Sequence, residues 1–191
     1  GLGDRSGKHA LPAELKADKY SLKITEKAPE RKADPADEQI ARALEAAERG
    51  FINDAVSALV SARQSSPDNL EVMLNLGFLH TVQGNFKDAF EAYANATVSH
   101  PKEPLARLAL GNLYWLGGQA DKAVEQWRLI KGSYKPDPQY NILKRSEKIW
   151  QRMLEVDPMD ADAHSNLGLV YMFAGEHRKA LAEFQAVTKI E

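Results

Sequence analysis

The sequence contains no cysteine among its 191 residues, which excludes disulfide bonds, thiolate metal sites, c-type haem attachment and a cysteine nucleophile. It also lacks any run of the roughly 18 apolar residues that a membrane-spanning helix needs. Lysine and arginine nearly balance aspartate and glutamate, 25 against 27, so no overall basic footprint for nucleic acid is present. We therefore predict that the protein has no membrane span and no nucleic-acid partner.

Signature motifs for catalysis are missing as well. The sequence has no glycine-rich phosphate loop, no nucleophile elbow and no helix with paired histidines. Asp157, Asp160, Asp162 and His164 resemble a metal cluster in composition. A proline stop, followed by acids at the start of the next helix, explains them better. We therefore predict that the protein is not an enzyme and has no metal site and no cofactor.

What the sequence does contain is an internal repeat with a period of 34 residues. Gly77 and Gly111 are separated by this distance, and so are Gly84 and Gly118. A self-match at such a period is typical of helical repeat proteins. A fourth, shifted copy near the C-terminus keeps the same internal spacing. The aligned columns hold small residues (Ala43, Gly77, Gly111, Gly168), glycines (Gly50, Gly84, Gly118, Gly175), alanines (Ala55, Ala89, Ala123, Ala180) and bulky residues (Leu59, Tyr93, Trp127, Phe184).

Each column has a physical reason in a hairpin of two helices. The small residues let the first helix approach the second to within about 8–10 Å. The glycine ends the first helix because it adopts the left-handed conformation without a side-chain clash. Bulky residues fill the space between hairpins, and prolines such as Pro67 and Pro101 end the second helix. The spacing predicts helices over 36–48, 53–65, 69–82, 86–98, 103–116 and 120–131.

This pattern resembles the tetratricopeptide repeat. The residues that carry the resemblance are Leu76-Gly77, Ala89, Tyr93, Ala96 and Pro101 in one copy, Leu110-Gly111, Tyr114, Ala123 and Trp127 in the next, and Leu167-Gly168, Tyr171, Ala180 and Phe184 in the last. The first copy departs from the pattern, with Arg42-Ala43 where leucine-glycine is usual. The resemblance implies an all-α, right-handed superhelical stack of antiparallel hairpins with a concave peptide-binding face. The domain would span 34–191, with repeats at about 36–69, 70–103, 104–131 and 161–191.

In such a stack the first helix of each repeat lines the concave face. Family members use asparagine there to bond a ligand's peptide backbone, and Asn75 and Asn166 occupy that place; an amide side chain offers both donor and acceptor. The inward positions hold no basic residue, which disfavours binding of a C-terminal carboxylate. The alternative is that some of these residues belong to the core and the groove is incidental. The predicted groove consists of Leu74, Asn75, Phe78, Leu105, Leu108, Asn112, Trp115 and Asn166.

An inserted helix separates the third copy from the last. The repeat phase places the next small residue at position 145, but Gly168 takes that role. A helix is predicted between them at about 139–156, and its path relative to the stack stays open. One face of this helix is either a solvated surface or a patch for an acidic partner. That basic face carries Lys144, Arg145, Lys148 and Arg152.

The N-terminal residues 1–33 lie outside the repeat and carry eight basic against five acidic residues. Within them Tyr20, Leu22 and Ile24 alternate with polar residues, as in a strand with one buried face. This extended arm is either a disordered linker or a segment that docks on a partner or on the protein's own surface.

The last hairpin has no helix after it, although repeat arrays usually finish with a polar cap. Its packing face therefore predicts a contact with another protein, with a second copy of the chain, or with residues of the natural protein that this sequence does not include. That face is formed by Leu181, Phe184, Val187 and Ile190.

From these features we predict a non-catalytic scaffold, a structural or assembly subunit of a multiprotein complex. It would bind protein or extended peptide through the arm, the groove and the C-terminal end. The alternatives are a transient peptide receptor or co-chaperone, and an interaction module cut from a larger enzyme. The chain begins at Gly1 rather than methionine, which together with the missing cysteines favours an exported or periplasmic protein over a cytoplasmic one.

Overall fold

The computed structural model describes residues 32–130 and 142–191, apart from the side chains of residues 142, 144 and 145. Over these residues it contains nine α-helices and no strand. None of these helices is both long enough and apolar enough to cross a membrane. The helices are α1 (Asp37–Glu48), α2 (Ile52–Ser65), α3 (Leu70–Gln83), α4 (Phe86–Ser99), α5 (Pro104–Leu116), α6 (Ala120–Arg128), α7 (Ile142–Val156), α8 (Ala161–Phe173) and α9 (His177–Ile190).

The first six helices confirm the sequence prediction to within one residue at every end but one. Helix α6 ends at Arg128 and not at residue 131. There the amides of Leu129 and Ile130 donate to the carbonyls of Gln126 and Trp127, three residues back, which tightens the last turn and closes the helix early. Residues 139–141 of the predicted inserted helix lie outside the described residues.

The helices pair as hairpins, α1 with α2, α3 with α4, α5 with α6 and α8 with α9. Each of the last three crossings depends on a glycine. A Cβ atom on Gly77 would lie 2.5 Å from Cζ of Tyr93, far inside van der Waals contact. Gly111 is covered in the same way by the Trp127 ring, and Gly168 by Phe184. The columns of small and bulky residues are thus the two halves of one contact.

The glycine that ends each first helix adopts the left-handed conformation that the sequence predicts. Gly84 has φ 79° and its amide donates to the Thr81 carbonyl at 3.0 Å. The amide of Asn85 donates to the His80 carbonyl at 2.8 Å. Two carbonyls at the end of α3 are therefore satisfied within the turn. The same conformation occurs at Gly50, Gly118 and Gly175.

The last three helices, which we call the C-terminal unit (α7–α9), turn back over the stack. Helix α7 packs on α8 and on α1, and α8 packs on α5 and α3 as well as on α9. Helices α1, α3 and α5 are the first helices of their hairpins, and the sequence predicts their common face to be an open groove. In this structure the C-terminal unit covers that face, so the groove stays a prediction.

The physical reason lies in the composition of α3 and α5. Their sequences, LEVMLNLGFLHTVQ and PLARLALGNLYWL, are apolar on nearly every side rather than along one stripe. A helix that is apolar all round is stable when it is buried all round. Covering such a face stabilises the fold by about 1.5–3 kcal/mol for each large side chain removed from water, and the C-terminal unit supplies that cover.

Candidate protein-binding face

Most of the predicted groove residues lie together on α3 and α5, the helices whose common face we call the concave face. Six of the eight are at most 7% exposed: Asn75, Phe78, Leu105, Leu108, Asn112 and Trp115. Leu74 on α3 is partly buried. Asn166, also partly buried, lies on α8 and so belongs to the covering unit. A peptide-binding role for these residues stays a prediction, since the structure shows them covered.

The last turn of α8 fills the middle of the concave face. The Phe173 ring meets Phe78 edge to face, with centroids 5.8 Å apart, and meets Tyr93 with centroids 5.7 Å apart. Met172 beside it is fully buried. Aromatic pairs of this kind contribute about 0.5–1.5 kcal/mol beyond the area they bury. Sequence reasoning missed Phe173, although the apolar run Leu167–Phe173 in α8 marks that helix as buried on all sides.

Asn112 makes the polar contact between α5 and the covering unit. Its Nδ2 donates to the main-chain carbonyl of Met172 at 3.3 Å, and its side chain is completely buried. Met172 lies in the last turn of α8, where its carbonyl also accepts from the Gly175 amide at 3.1 Å, so the Asn112 amide is an additional donor to it. The sequence predicts an asparagine on this face that bonds a ligand's backbone, and here an asparagine bonds the chain's own backbone.

A small cavity remains where the start of α7 meets the concave face. It is lined by Leu143 of α7, by Phe173, and by Leu74, Asn75, Phe78, Tyr93, Leu105 and Ala109. Its volume of about 30 Å³ has room for a water molecule but not for a peptide. Burial at this place raises the pKa of Tyr93 well above its ordinary value, so the phenol stays neutral.

The acids around Pro158 serve the turn into α8. Asp160 caps the helix by accepting from the Ala163 amide at 3.0 Å, and Asp157 accepts from the Met159 amide at 3.0 Å. His164 contacts two acceptors, Glu183 Oε2 at 2.6 Å from its Nδ1 and the Pro158 carbonyl at 2.9 Å from its Nε2. Burial lowers the pKa of His164, but the two hydrogen bonds together with the negative charges of Glu183 and Asp160 outweigh it, so the pKa is raised overall. Among the described residues no group of three or more His, Asp or Glu side chains is placed to hold a metal ion.

The two peripheral surfaces predicted from the sequence are described only in part. Lys148 and Arg152 are exposed on α7, while the side chains of Lys144 and Arg145 lie outside the described residues. The opposite side of α7 carries the buried residues Ser146 and Trp150. The arm residues Tyr20, Leu22 and Ile24 lie outside the described residues altogether. A basic patch and a docking arm therefore stay predictions.

The C-terminal packing face is largely used within the chain. Val187 is buried, and the Phe184 ring lies 6.0 Å from the Trp115 ring of α5, centroid to centroid. Leu181 and Ile190 are partly buried. The outer side of α9 carries the exposed polar residues Arg178, Lys179, Gln185, Thr188 and Lys189. A contact of this face with another protein or with a second copy of the chain stays a prediction.

Known proteins share this arrangement of paired helices. A family model described as "Tetratricopeptide repeat" matches residues 40–96, 79–138 and 143–190, well over half of the chain. The chain belongs to the tetratricopeptide repeat family. The third match begins in α7, so the helix predicted as an insertion falls within a matched tetratricopeptide segment.

Curated relatives share short parts of their length with this tetratricopeptide repeat chain. Peroxisome biogenesis protein 5 of Arabidopsis thaliana is 24% identical over 151 residues, which is 72% of this chain and 20% of that protein. The BBSome complex member BBS4 of Bos taurus is 28% identical over 82 residues, 43% of this chain and 16% of that protein. The chain therefore spans at most a fifth of the length of these two relatives.

The solved structures that resemble this chain include one of a tetratricopeptide repeat protein from Parabacteroides merdae ATCC 43184. It is 18% identical and aligns over 82% of this chain and 66% of that chain, with a TM-score of 0.49.

Proposed function

We propose that this tetratricopeptide repeat protein is a non-catalytic scaffold, a structural or assembly subunit of a multiprotein complex. The observation that carries the proposal is the stack α1–α6, whose first helices present an apolar face that other helices must cover. Helical repeats create extended concave surfaces of this kind, and such surfaces bind polypeptides. The partner is expected to be a protein or an extended peptide.

The names of the relatives are consistent with this role. One is a peroxisome biogenesis protein and the other a member of the BBSome complex. We propose that this chain, too, is part of a protein complex or helps to assemble one. A specific partner is not carried over, because each of these relatives extends far beyond the shared segment.

Affinity purification of the tagged full chain, followed by mass spectrometry and light scattering, tests the scaffold function. We expect one partner, or one set of partners, to co-elute in a fixed ratio to the chain. A dispersed set of proteins at low and variable ratios would contradict a subunit role. The mass from light scattering also tests the proposed contact between two copies through the C-terminal end.

The basic face of α7 is tested in the same experiment. Lys148→Glu with Arg152→Glu should reduce recovery of an acidic partner, because both cations are exposed and available for contact. The matched control is Arg63→Glu with Lys87→Glu, which reverses two exposed cations on α2 and α4. Equal loss in both variants would assign the effect to net charge and not to this face.

The proposed arm is tested by deleting residues 1–33 and, separately, by changing Tyr20, Leu22 and Ile24 to serine. We expect both variants to lose part of the partner while the helical content of residues 37–190 is retained. Unchanged recovery of the partner would remove the arm from the proposal.

A transient peptide receptor is the second candidate, and one contact favours it. Asn112 donates to a main-chain carbonyl of α8 at 3.3 Å, as a receptor asparagine would donate to a bound peptide. A receptor of this kind should lose peptide when Asn75, Asn112 or Asn166 is changed, whereas a permanent subunit should still co-purify with its partner.

A further inference from the structure

The last turn of α8 is a short segment that makes both aromatic and hydrogen-bonding contacts with the stack. Phe173 packs on Phe78 and Tyr93, and the Met172 carbonyl accepts from Asn112. An aromatic ring and a main-chain carbonyl, on neighbouring residues, are therefore what this face recognises. Both groups can be offered equally well by a segment of another polypeptide.

Some polar side-chain atoms on α1, α5 and α7 are buried but make no hydrogen bond within the part of the chain that the structure describes. Gln39 Oε1 on α1, Asn112 Oδ1 on α5, and Ser146 Oγ and Trp150 Nε1 on α7 are buried without a hydrogen-bond partner among the described residues. Glu147 and Gln151 face α8, since both approach the Tyr171 hydroxyl at 3.4 Å. Ser146 and Trp150 lie to one side of them on the helix, the side available to α1, the other helix that packs on α7. Buried polar atoms without partners disfavour the covered state.

The C-terminal unit also has its own internal contacts. Helix α7 packs on α8, α8 packs on α9, and the Tyr171 hydroxyl joins α7 to α8 through Glu147 and Gln151. Because α7–α9 follow α1–α6 in the sequence, their departure leaves the α1–α6 hairpins stacked on one another. Separation of the C-terminal unit from α1–α6 therefore breaks few of the contacts within the unit or within α1–α6.

We propose that the concave face is an exchangeable binding surface, occupied by the chain's own C-terminal unit until a partner segment displaces it. The partner segment presents an aromatic side chain next to a main-chain carbonyl that can accept a hydrogen bond from a side chain, as Met172 does in the last turn of α8. It competes with Phe173 and Met172 for Phe78, Tyr93 and Asn112. This inference rests on the proposed binding function. It adds that the C-terminal unit covers the binding surface, and that a segment with an aromatic side chain beside a main-chain carbonyl displaces this unit.

A peptide exchange experiment on the purified full chain tests this. The probe is a fluorescein-labelled synthetic peptide of residues 142–191, and its binding is followed by fluorescence anisotropy. In the wild-type chain the peptide competes with an intramolecular copy at high effective concentration and should bind weakly. Phe173→Ala weakens that intramolecular copy, so the variant should bind the peptide at least tenfold more tightly than wild type. Phe173→Leu, a milder change that keeps the segment apolar, should give a smaller gain in the same direction.

Two further variants decide whether the gain belongs to this face. Val187→Ala removes a buried side chain from α9 without touching α3 or α5, and it should leave peptide affinity within about twofold of wild type. A probe peptide that carries Phe173→Ala should lose most of the gain in the Phe173→Ala chain, because it lacks the ring that packs on Phe78 and Tyr93. The proposal is overturned if wild type and Phe173→Ala bind the peptide alike, or if Val187→Ala gains as much as Phe173→Ala.

This outcome is separate from that of the scaffold proposal. A failure of peptide exchange with a stoichiometric partner still recovered from purification would remove the exchangeable surface and leave the scaffold. Peptide exchange without any stoichiometric partner would leave the surface and remove the subunit role.

Discussion

The hairpins α3–α4 and α8–α9 carry the same motif and bury it differently. In each, an aromatic ring lies over a glycine sixteen residues earlier, Tyr93 over Gly77 and Phe184 over Gly168. Tyr93 is 2% exposed, whereas Phe184 is only partly buried. Helix α4 packs on α3 and α5, while α9 packs mainly on α8. The motif fixes the crossing within a hairpin, and the neighbouring hairpin decides how far the ring is shielded from water.

The largest expected effect compares a ring inside the stack with the ring at its end. Trp127 is 2% exposed, covers Gly111 and donates from Nε1 to the Leu108 carbonyl at 3.3 Å. Trp127→Ala should lower the free energy of unfolding by about 3–5 kcal/mol. Phe184→Ala should cost about half as much, since part of that ring already meets water. Guanidinium unfolding measures both; a cost below about 1 kcal/mol for Trp127→Ala, or equal costs, would contradict the comparison.

The crossing glycines give the next effect. A Cβ on Gly77 would lie 2.5–2.6 Å from three atoms of the Tyr93 ring, which is 2% exposed and borders only a small cavity. Gly77→Ala should therefore cost about 1–3 kcal/mol. Gly168→Ala should cost less, because the partly exposed Phe184 ring can shift towards solvent. Thermal unfolding of both variants tests which one is destabilised more. A larger loss of stability in Gly168→Ala than in Gly77→Ala would contradict this explanation.

A smaller effect separates the two asparagines. Asn112 is fully buried and donates to α8, so Asn112→Ala should lower the free energy of unfolding by about 0.5–1.5 kcal/mol, the net value of one hydrogen bond. Asn166 is partly buried and belongs to the covering unit, so Asn166→Ala should have a smaller effect. Chemical unfolding of the two single variants under the same conditions compares the effects. A larger effect for Asn166→Ala than for Asn112→Ala would contradict the assignment of the buried contact to Asn112.

The smallest effect concerns the last hairpin alone and depends on pH. His164 faces two acceptors, and only the imidazolium form can donate to both, which agrees with its raised pKa. Because the folded pKa lies above the unfolded value of about 6.5, the stabilisation is complete below that pH and is lost as pH rises through the folded pKa. Wild type should therefore lose a small part of its unfolding free energy over this range.

Two variants identify the group responsible. His164→Gln should remove the pH-dependent loss, and Glu183→Gln should shift the His164 titration to lower pH while retaining an acceptor. Denaturant unfolding from about pH 5.5 to 9 and an NMR titration of His164 are the measurements. An unchanged pH dependence in His164→Gln would assign it to another group.

Much of the fold is predictable from the sequence because its contacts are local and periodic. Gly84 and Gly118 end their helices in the left-handed conformation that the pattern requires. Seven of the eight predicted groove positions lie together on α3 and α5, and most of them are buried, as the alternative of core residues allows. The sequence does carry a signal for burial, because both helices are apolar on nearly every side. The groove prediction considered only the residues on one inward-facing side of each helix and so did not use that signal.

The sequence by itself determines the hairpins, since a crossing glycine and its covering ring are always sixteen residues apart and each turn carries its own glycine. Only the tertiary structure decides that α7 and α8 cover the concave face. Asn112 and Met172 are 60 residues apart, and no short-range period relates them. Their contact depends on where the chain returns after α6, and that return is driven by burial of apolar surface, which has no direction and leaves no fixed spacing in the sequence.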